Sequence, residues 1–294
     1  MRRLHATGVL VCLVALTWSQ PAHGIQDDVY VPLRSPFDLF RNNPEEGVKP
    51  MAEATSHVDL AIYPLGMGYQ RWHGLTGGDI ALMAVGPNLL WRAGFSVMTL
   101  ADHRNEISFR LTRLYYEVRI GADMKVWKGV LRARWVHRCS HGADDAISGR
   151  ILIRSGPNVG YHHVEQWGRL RLDIDSHIHT TIAARNYDES MHWRGNWTGR
   201  SQVTWQLSDH LELLGAAGLV VMLVSQGESD IYVFTEPIRR LRVEPLPAGM
   251  MGIRYTGSTV PVAVTLHAHR VLDTGITLTA KTTDLFAIRF LIDW

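Results

Sequence analysis

The chain has 294 residues, 30 Lys+Arg against 28 Asp+Glu, 46 % hydrophobic residues and two cysteines. Near-neutral charge excludes a strongly basic nucleic-acid binder, and two cysteines exclude a scaffold stapled by several disulfides. The longest apolar run beyond residue 24, Leu213 to Val224, is too short for a helical membrane span.

The chain starts Met1-Arg2-Arg3, continues apolar from Ala6 to Trp18, and then reads Gln20-Pro21-Ala22-His23-Gly24. A basic head, an apolar core and small residues near the end predict a secretory signal peptide over 1–24. An uncleaved anchor would need a longer apolar stretch. A lipoprotein signal at Cys12 would need a small residue before the cysteine, where Val11 stands. Cleavage removes Arg2 and Arg3 and no acid, which leaves 28 charges of each sign and a single cysteine, Cys139. Residues 25–55 carry Pro32, Pro36, Pro44 and Pro50 with Asn42-Asn43 and Glu45-Glu46. They read as a periplasmic or lumen-touching lead-in with one short turn around Phe37-Asp38-Leu39-Phe40.

Residues 56–294 read as strands. Weaker segments lie at 56–64, 79–86, 90–99, 148–154, 200–208, 210–223, 231–243 and 249–257. From Glu106 the chain alternates to Thr112, slips phase at Arg113, and continues through Leu114, Tyr116, Val118 and Ile120, as a bulge would produce. Val130 to His141 sets Arg132, Arg134 and Arg138 against Leu131, Ala133 and Trp135. Gly168 to Ile182 sets Leu170, Leu172, Ile174 and Ile178 against Arg169, Arg171, Asp173, Asp175, His177 and His179. Six ionisable residues in one phase do not suit a sandwich core; they fit a solvated outer face or a polar lumen where acids and bases pair. Val262, Val264 and Leu266 oppose Thr265, His267 and His269. In the last strand Phe286, Ile288, Phe290, Ile292 and Trp294 share one wholly apolar phase that ends on an aromatic. That stripe fits a lipid-facing surface with a ring at the bilayer edge, and it resembles the C-terminal signal that outer-membrane proteins present to their insertion machinery.

Short turns are expected at Gly86-Pro87-Asn88, Lys128-Gly129, Ser208-Asp209 and Asp273-Thr274-Gly275, although the later strands do not all fit one parity. At about 20 residues per strand and turn, the fold class is an all-β, transmembrane antiparallel β-barrel of about 12 strands, within 10 to 14. The compartment this implies is the bacterial outer membrane.

The densest polar cluster runs from Trp135 to Asp145. Three readings stay open. His137 and Cys139, two apart on one strand face with Leu131 and Trp135, could form a base and nucleophile acting on a lipid ester at the barrel wall, with Ser140 beside them and Asp144 or Asp145 orienting the imidazole. His137, His141, Asp144 and Asp145 have the chemistry of metal ligands but no diagnostic spacing, so no metal is assigned. Rim residues meeting water and lipid phosphates are the third reading. No cofactor motif is found.

The stretch His137-Arg138-Cys139-Ser140-His141-Gly142-Ala143-Asp144-Asp145 resembles the HxSSHxGDE stretch of an uncharacterised outer-membrane family, domain of unknown function 1207, in which a Trp precedes the strand as Trp127 does here. His137, Ser140, His141, Asp144 and Asp145 fall on that pattern, and Cys139 stands where it has a serine. The resemblance implies the fold and no activity. The chain is more distantly similar to lipid A 3-O-deacylase-like barrels, which would give His137 the base role and Cys139 the nucleophile position; their orienting Glu has no counterpart in 148–154. The expected function is a structural or anchoring component or a small, porin-like passive pore, with an esterase on outer-leaflet lipid as the alternative. Expected partners are outer-membrane lipid and lipopolysaccharide, the insertion machinery and other envelope proteins, with no nucleic acid.

Overall fold

A computed structural model describes residues 36–51, 53–64, 72–102, 110–142, 151–185, 192–226, 231–233, 239–273 and 281–293. The segment 1–24, Asp144, Asp145 and Trp294 lie outside the described residues. A 3-10 helix, Pro36–Phe40, is followed by β1 (Val48–Pro50), β2 (Ala54–Ile62), β3 (Trp72–Val85), β4 (Leu89–Asp102), β5 (Arg110–Val126), β6 (Gly129–Gly142), β7 (Ile151–Trp167) and β8 (Leu170–Thr180). Then come β9 (Ala183–Arg185), β10 (His192–Ser208), β11 (Leu211–Gln226), β12 (Ile231–Val233), β13 (Arg239–Tyr255), β14 (Val262–Asp273) and β15 (Lys281–Asp293).

Twelve of these strands close on themselves. From β2 each pairs antiparallel with the next long strand through to β15, β7 pairs β8, and β15 pairs back to β2 with Ile288 opposite Ile62 and Asp293 opposite His57. Closure removes the edge that an open sheet would expose in lipid. β1 extends the line of β2 along β3, while β9 and β12 pair with each other beyond the outer ends of their neighbours.

Both chain ends of the barrel lie at one rim with the turns at 86–88, 127–128, 168–169, 209–210 and 256–261. This is the inner rim by the usual placement of termini and short turns. β6 ends at Gly142 and β7 begins at Ile151, both at the outer rim.

The alternation of every strand sorts side chains by face. Phe95, Val118, Ile120, Trp135, Val159, Ile178, Trp205, Ile253, Val264, Phe286, Phe290 and Ile292 point outward and are exposed. Their phase partners point inward, among them Asp79, Arg92, Asp123, Arg134, Asp173, Arg200, His267 and Arg289. A water-soluble protein does not carry a continuous apolar girdle of this extent. In a bilayer that girdle is the lipid-facing surface.

Three boundaries differ from the sequence expectation, each for a physical reason. The segments 231–243 and 249–257 belong largely to one strand, β13, which runs through Pro245 and Pro247. Two prolines suggest a break, but β13 pairs with β11 along its whole length and with β14 only from Ala248 inward, so they sit where the strand has a free edge. Segment 148–154 continues to Trp167, past Gly156 and Pro157. Pro157 falls where the β8 line bulges into β9, between the Asn158–His179 and Ser155–Ala183 pairs. Finally, β14 ends at Asp273 at the outer rim, so Asp273 begins an outer connection rather than a short inner turn. These changes restore parity. The phase slip at Arg113 is a bulge: Leu100 faces Arg113 and Ala101 faces Leu111, leaving Thr112 extra.

Candidate functional site

The lumen holds a connected ionic network on the β3–β8 side. Asp123 on β5 takes Arg92 Nη1 at 3.2 Å from one neighbouring strand and Arg134 Nη2 at 2.8 Å from the other. Asp79 on β3 lies 3.7 to 3.9 Å from Arg92, Arg119 and Arg134. Arg132 reaches across β7 to Asp175 at 3.2 Å and donates to His162 Nδ1 at 2.8 Å. That leaves the His162 proton on Nε2, which donates to Asp173 at 2.9 Å. Arg171 also reaches Asp173, at 2.5 Å, and His177 Nδ1 lies 3.6 Å from Asp175.

Of the residues grouped in the sequence, Arg171, Asp173, Asp175 and His177 therefore meet inside the barrel, and His179 is buried in the same phase. Arg169 stands apart from them. It occupies the turn at 168–169 and donates to the Leu207 carbonyl at 3.4 Å. Arg132, His162, Asp123 and Asp79 come from other strands, and only register reveals them as partners.

The opposite side of the lumen is more weakly charged. Asp59 and Arg289 pair across the closing strands, Thr265 Oγ1 meets His267 Nε2 at 2.9 Å, and Tyr63 Oη meets His73 Nδ1 at 3.2 Å. Toward the outer rim Trp193 of β10, Val220, Met222 and Val224 of β11 and Leu246 of β13 form one apolar cluster, while Asn196 and Thr198 of β10 are buried polar residues bonded to each other. At the inner rim the 3-10 helix places Phe40 against Ala81, Ala84, Leu90 and Val130, with Phe37 and Leu39 beside it. Asn43 Nδ2 ties this segment to the Gly86 carbonyl at 3.3 Å. Among the described residues no group of three or more His, Cys, Asp or Glu side chains is placed to hold a metal.

His137 and Cys139 share the outward phase of β6. The imidazole takes Ser155 as its partner rather than Cys139: His137 Nδ1 lies 2.7 Å from Ser155 Oγ on β7. Cys139 is half-buried and stands opposite Ile153 and Tyr116. Ser140 is described as a backbone position, opposite Tyr115 and Leu152. Ser155 lay in no strand assigned from sequence, and nothing in its neighbourhood marks it before β6 and β7 are put in register. His137 is eight residues from the inner turn, so at ~3.4 Å per residue and the usual strand tilt it sits roughly 20 Å above it, near the outer edge of an apolar band about 25 Å tall.

An apolar girdle outside, a paired ionic interior and full strand closure define an integral β-barrel of the bacterial outer membrane. LpxR from Salmonella typhimurium superposes with a TM-score of 0.47 at 8 % identity, covering 82 % of this chain and 99 % of that one. An outer membrane channel from Pseudomonas putida F1 gives 0.48 at 8 % identity, covering 85 % and 98 %. Outer membrane phospholipase A from Escherichia coli gives 0.44 at 10 % identity, covering 83 % and 98 %. No family model matches the chain, including that of domain of unknown function 1207, and no curated protein matches it.

Proposed function

We propose that this is a sealed barrel, an anchoring or scaffolding component of the outer membrane that acts through its surfaces and not as a conduit. The observation that carries the reading is the burial of polar side chains that point into the lumen. Asp123, Asp173 and Gln202 are 0 % exposed, and His162 and His267 are 1 % exposed. They stand on β5, β8, β10, β7 and β14, on different sides of the girth. A side chain lining a water-filled pore keeps its polar tip wet, whereas Asp123 meets Arg92 and Arg134, Asp173 meets His162 and Arg171, Gln202 meets Arg200 and Thr204, and His267 meets Thr265. Phe40 adds an apolar stopper at the inner mouth. Reconstituted into liposomes, the protein is expected to give no osmotic swelling with small sugars. Swelling at porin-like rates would overturn the reading.

A second reading rests on the His137–Ser155 hydrogen bond on the lipid-facing wall. In it Ser155 Oγ attacks an ester carbonyl of an outer-leaflet lipid while His137 Nδ1 takes the hydroxyl proton. The proton then passes to the departing alcohol, and water hydrolyses the acyl-serine. The described outward faces of β5, β6 and β7 bring no carboxylate to this histidine, so the pair would work as a dyad. Mass spectrometry of lipids incubated with the purified barrel tests this, with release of fatty acid as the expected product and unchanged lipids as the contrary result.

A further inference from the structure

The turn between β5 and β6 holds a backbone conformation that its residue disfavours. Val126 pairs with Gly129, so Trp127 and Lys128 form a two-residue turn, and Trp127 has a φ of 51°. Glycine, asparagine or aspartate suits that left-handed position, whereas a bulky side chain there is strained. Burial does not offset the strain, because Trp127 is 79 % exposed, more than any other large hydrophobic residue among the described ones. A strained backbone that internal packing does not offset points to a contact outside the chain.

The indole ends a row of rings on the outward face. His163 lies 5.6 Å from it and Tyr161 lies 6.2 Å from His163, centroid to centroid. Gly129 lets Tyr161 lie flat on the wall, since a Cβ there would stand 2.6 Å from the Tyr161 ring. Lys128 Nζ stands 5.9 Å from the Trp127 ring centroid and donates to Glu165 Oε1 at 2.7 Å. His163 Nε2 lies 3.4 Å from the same oxygen. The Val164 amide donates to the Lys128 carbonyl at 3.1 Å, which docks the turn against β7.

The outward phase of β7 fixes the level of this patch. Toward the inner rim it runs Val159, Tyr161, His163, Glu165 and Trp167. Val159 and, on β6, Leu131 are exposed apolar residues of the lipid-facing girdle. Ionisable side chains are rare against hydrocarbon, so the change from Val159 to His163 and Glu165 marks the passage from acyl chains to inner-leaflet headgroups. What covers an outward face at that level is a phospholipid headgroup.

We propose that this patch binds one zwitterionic phospholipid of the inner leaflet, with a phosphate and a primary ammonium in its headgroup. The phosphate accepts from Lys128, the ammonium donates to Glu165 and lies against the face of Trp127, and the acyl chains run over Leu131 and Val159. A lysine and a glutamate side by side match a headgroup that carries both charges. A purely anionic headgroup would meet Glu165 with no cation of its own. The site faces the other leaflet from His137 and depends on neither reading above.

Native mass spectrometry of the detergent-purified mature barrel tests the proposal, with phosphatidylethanolamine and phosphatidylglycerol of identical acyl chains added in turn. One phosphatidylethanolamine per barrel is expected to survive gas-phase activation. Phosphatidylglycerol has the phosphate without the ammonium, and its retention is expected to be about tenfold lower at equal concentration, the scale of one charged hydrogen-bonded contact. Glu165→Gln should abolish that preference. Trp127→Asn should lower phosphatidylethanolamine retention by a similar factor yet melt no lower than the parent, because asparagine tolerates the left-handed turn. Tyr255→Ala, an exposed inner-rim aromatic on β13, should leave binding unchanged. Equal retention of the two lipids overturns the proposal without any variant. So does a Glu165→Gln barrel that keeps the preference, a Trp127→Asn barrel that binds as the parent does or melts well below it, or a Tyr255→Ala barrel that loses binding equally.

Discussion

Arg289 of the last strand and Asp59 of the first meet across the line where the barrel closes, with Arg289 Nε 3.2 Å from Asp59 Oδ1 and a second contact from Nη2. Both are 2 % exposed, and 230 residues of sequence separate them. Removing one partner leaves a buried charge without its counterion, so Asp59→Ala is expected to cost about 3–5 kcal/mol. Replacing both, as in Asp59→Leu with Arg289→Met, should recover most of that loss. Urea unfolding in detergent, followed by tryptophan fluorescence, measures both. A double variant as unstable as the single one would contradict this account of the closure.

Asp123 is a fully buried lumen carboxylate held between Arg92 and Arg134. Asp123→Ala is expected to destabilise the barrel by about 3–5 kcal/mol. The Lys128–Glu165 pair at the inner rim has the shorter distance, 2.7 Å, but its lysine is half exposed. Lys128→Ala should cost under ~1 kcal/mol, since water already solvates that pair. Thermal melts of the two variants in one detergent compare them directly, and a reversed order would show that interior burial does not govern these pairs.

Gly156 marks a close approach of backbones. A Cβ there would stand 1.7 Å from the Thr180 carbonyl oxygen, at the bulge between β8 and β9. No side-chain rotation relieves a clash with backbone, so Gly156→Ala must push β7 and β8 apart. A loss of about 1–3 kcal/mol is expected, as for overpacked sites, together with altered cross-linking between cysteines placed at 155 and 183. Full stability would mean that the two strands are not packed this tightly.

Under the esterase reading, Ser155→Ala and His137→Ala each abolish fatty-acid release, while Cys139→Ala retains it. Cys139 shares a face with His137 but accepts no hydrogen bond from it, whereas Ser155 lies 2.7 Å away. Lipid mass spectrometry on the three variants assigns the nucleophile, and loss of activity in Cys139→Ala alone would return that role to the thiol.

The sequence is legible where one face is apolar and the other charged. Phe286, Phe290 and Ile292 are exposed along β15, and Ile174 and Ile178 along β8, as alternation alone requires. Legibility fails in β11, where Leu214, Val220, Met222 and Val224 point inward and are apolar too, so the period-two signal vanishes. It fails again at β13 and β7, whose prolines mimic turns but occupy a free edge and a bulge. Site partners were hidden for a different reason. Asp59 with Arg289, Arg132 with Asp175 and His137 with Ser155 are products of strand register across closing, next-but-one and neighbouring strands respectively, which local periodicity does not encode.

The sealed interior is tested most directly by single-channel recording of the purified mature barrel in planar bilayers at high salt. Buried, mutually paired lumen side chains and the Phe40 stopper predict a flat baseline at moderate voltage, with insertion verified independently by protease protection. Stable stepwise openings whose current scales with salt concentration would contradict the account, because ions cannot pass Asp123, Asp173 and Gln202 while those side chains remain out of contact with water.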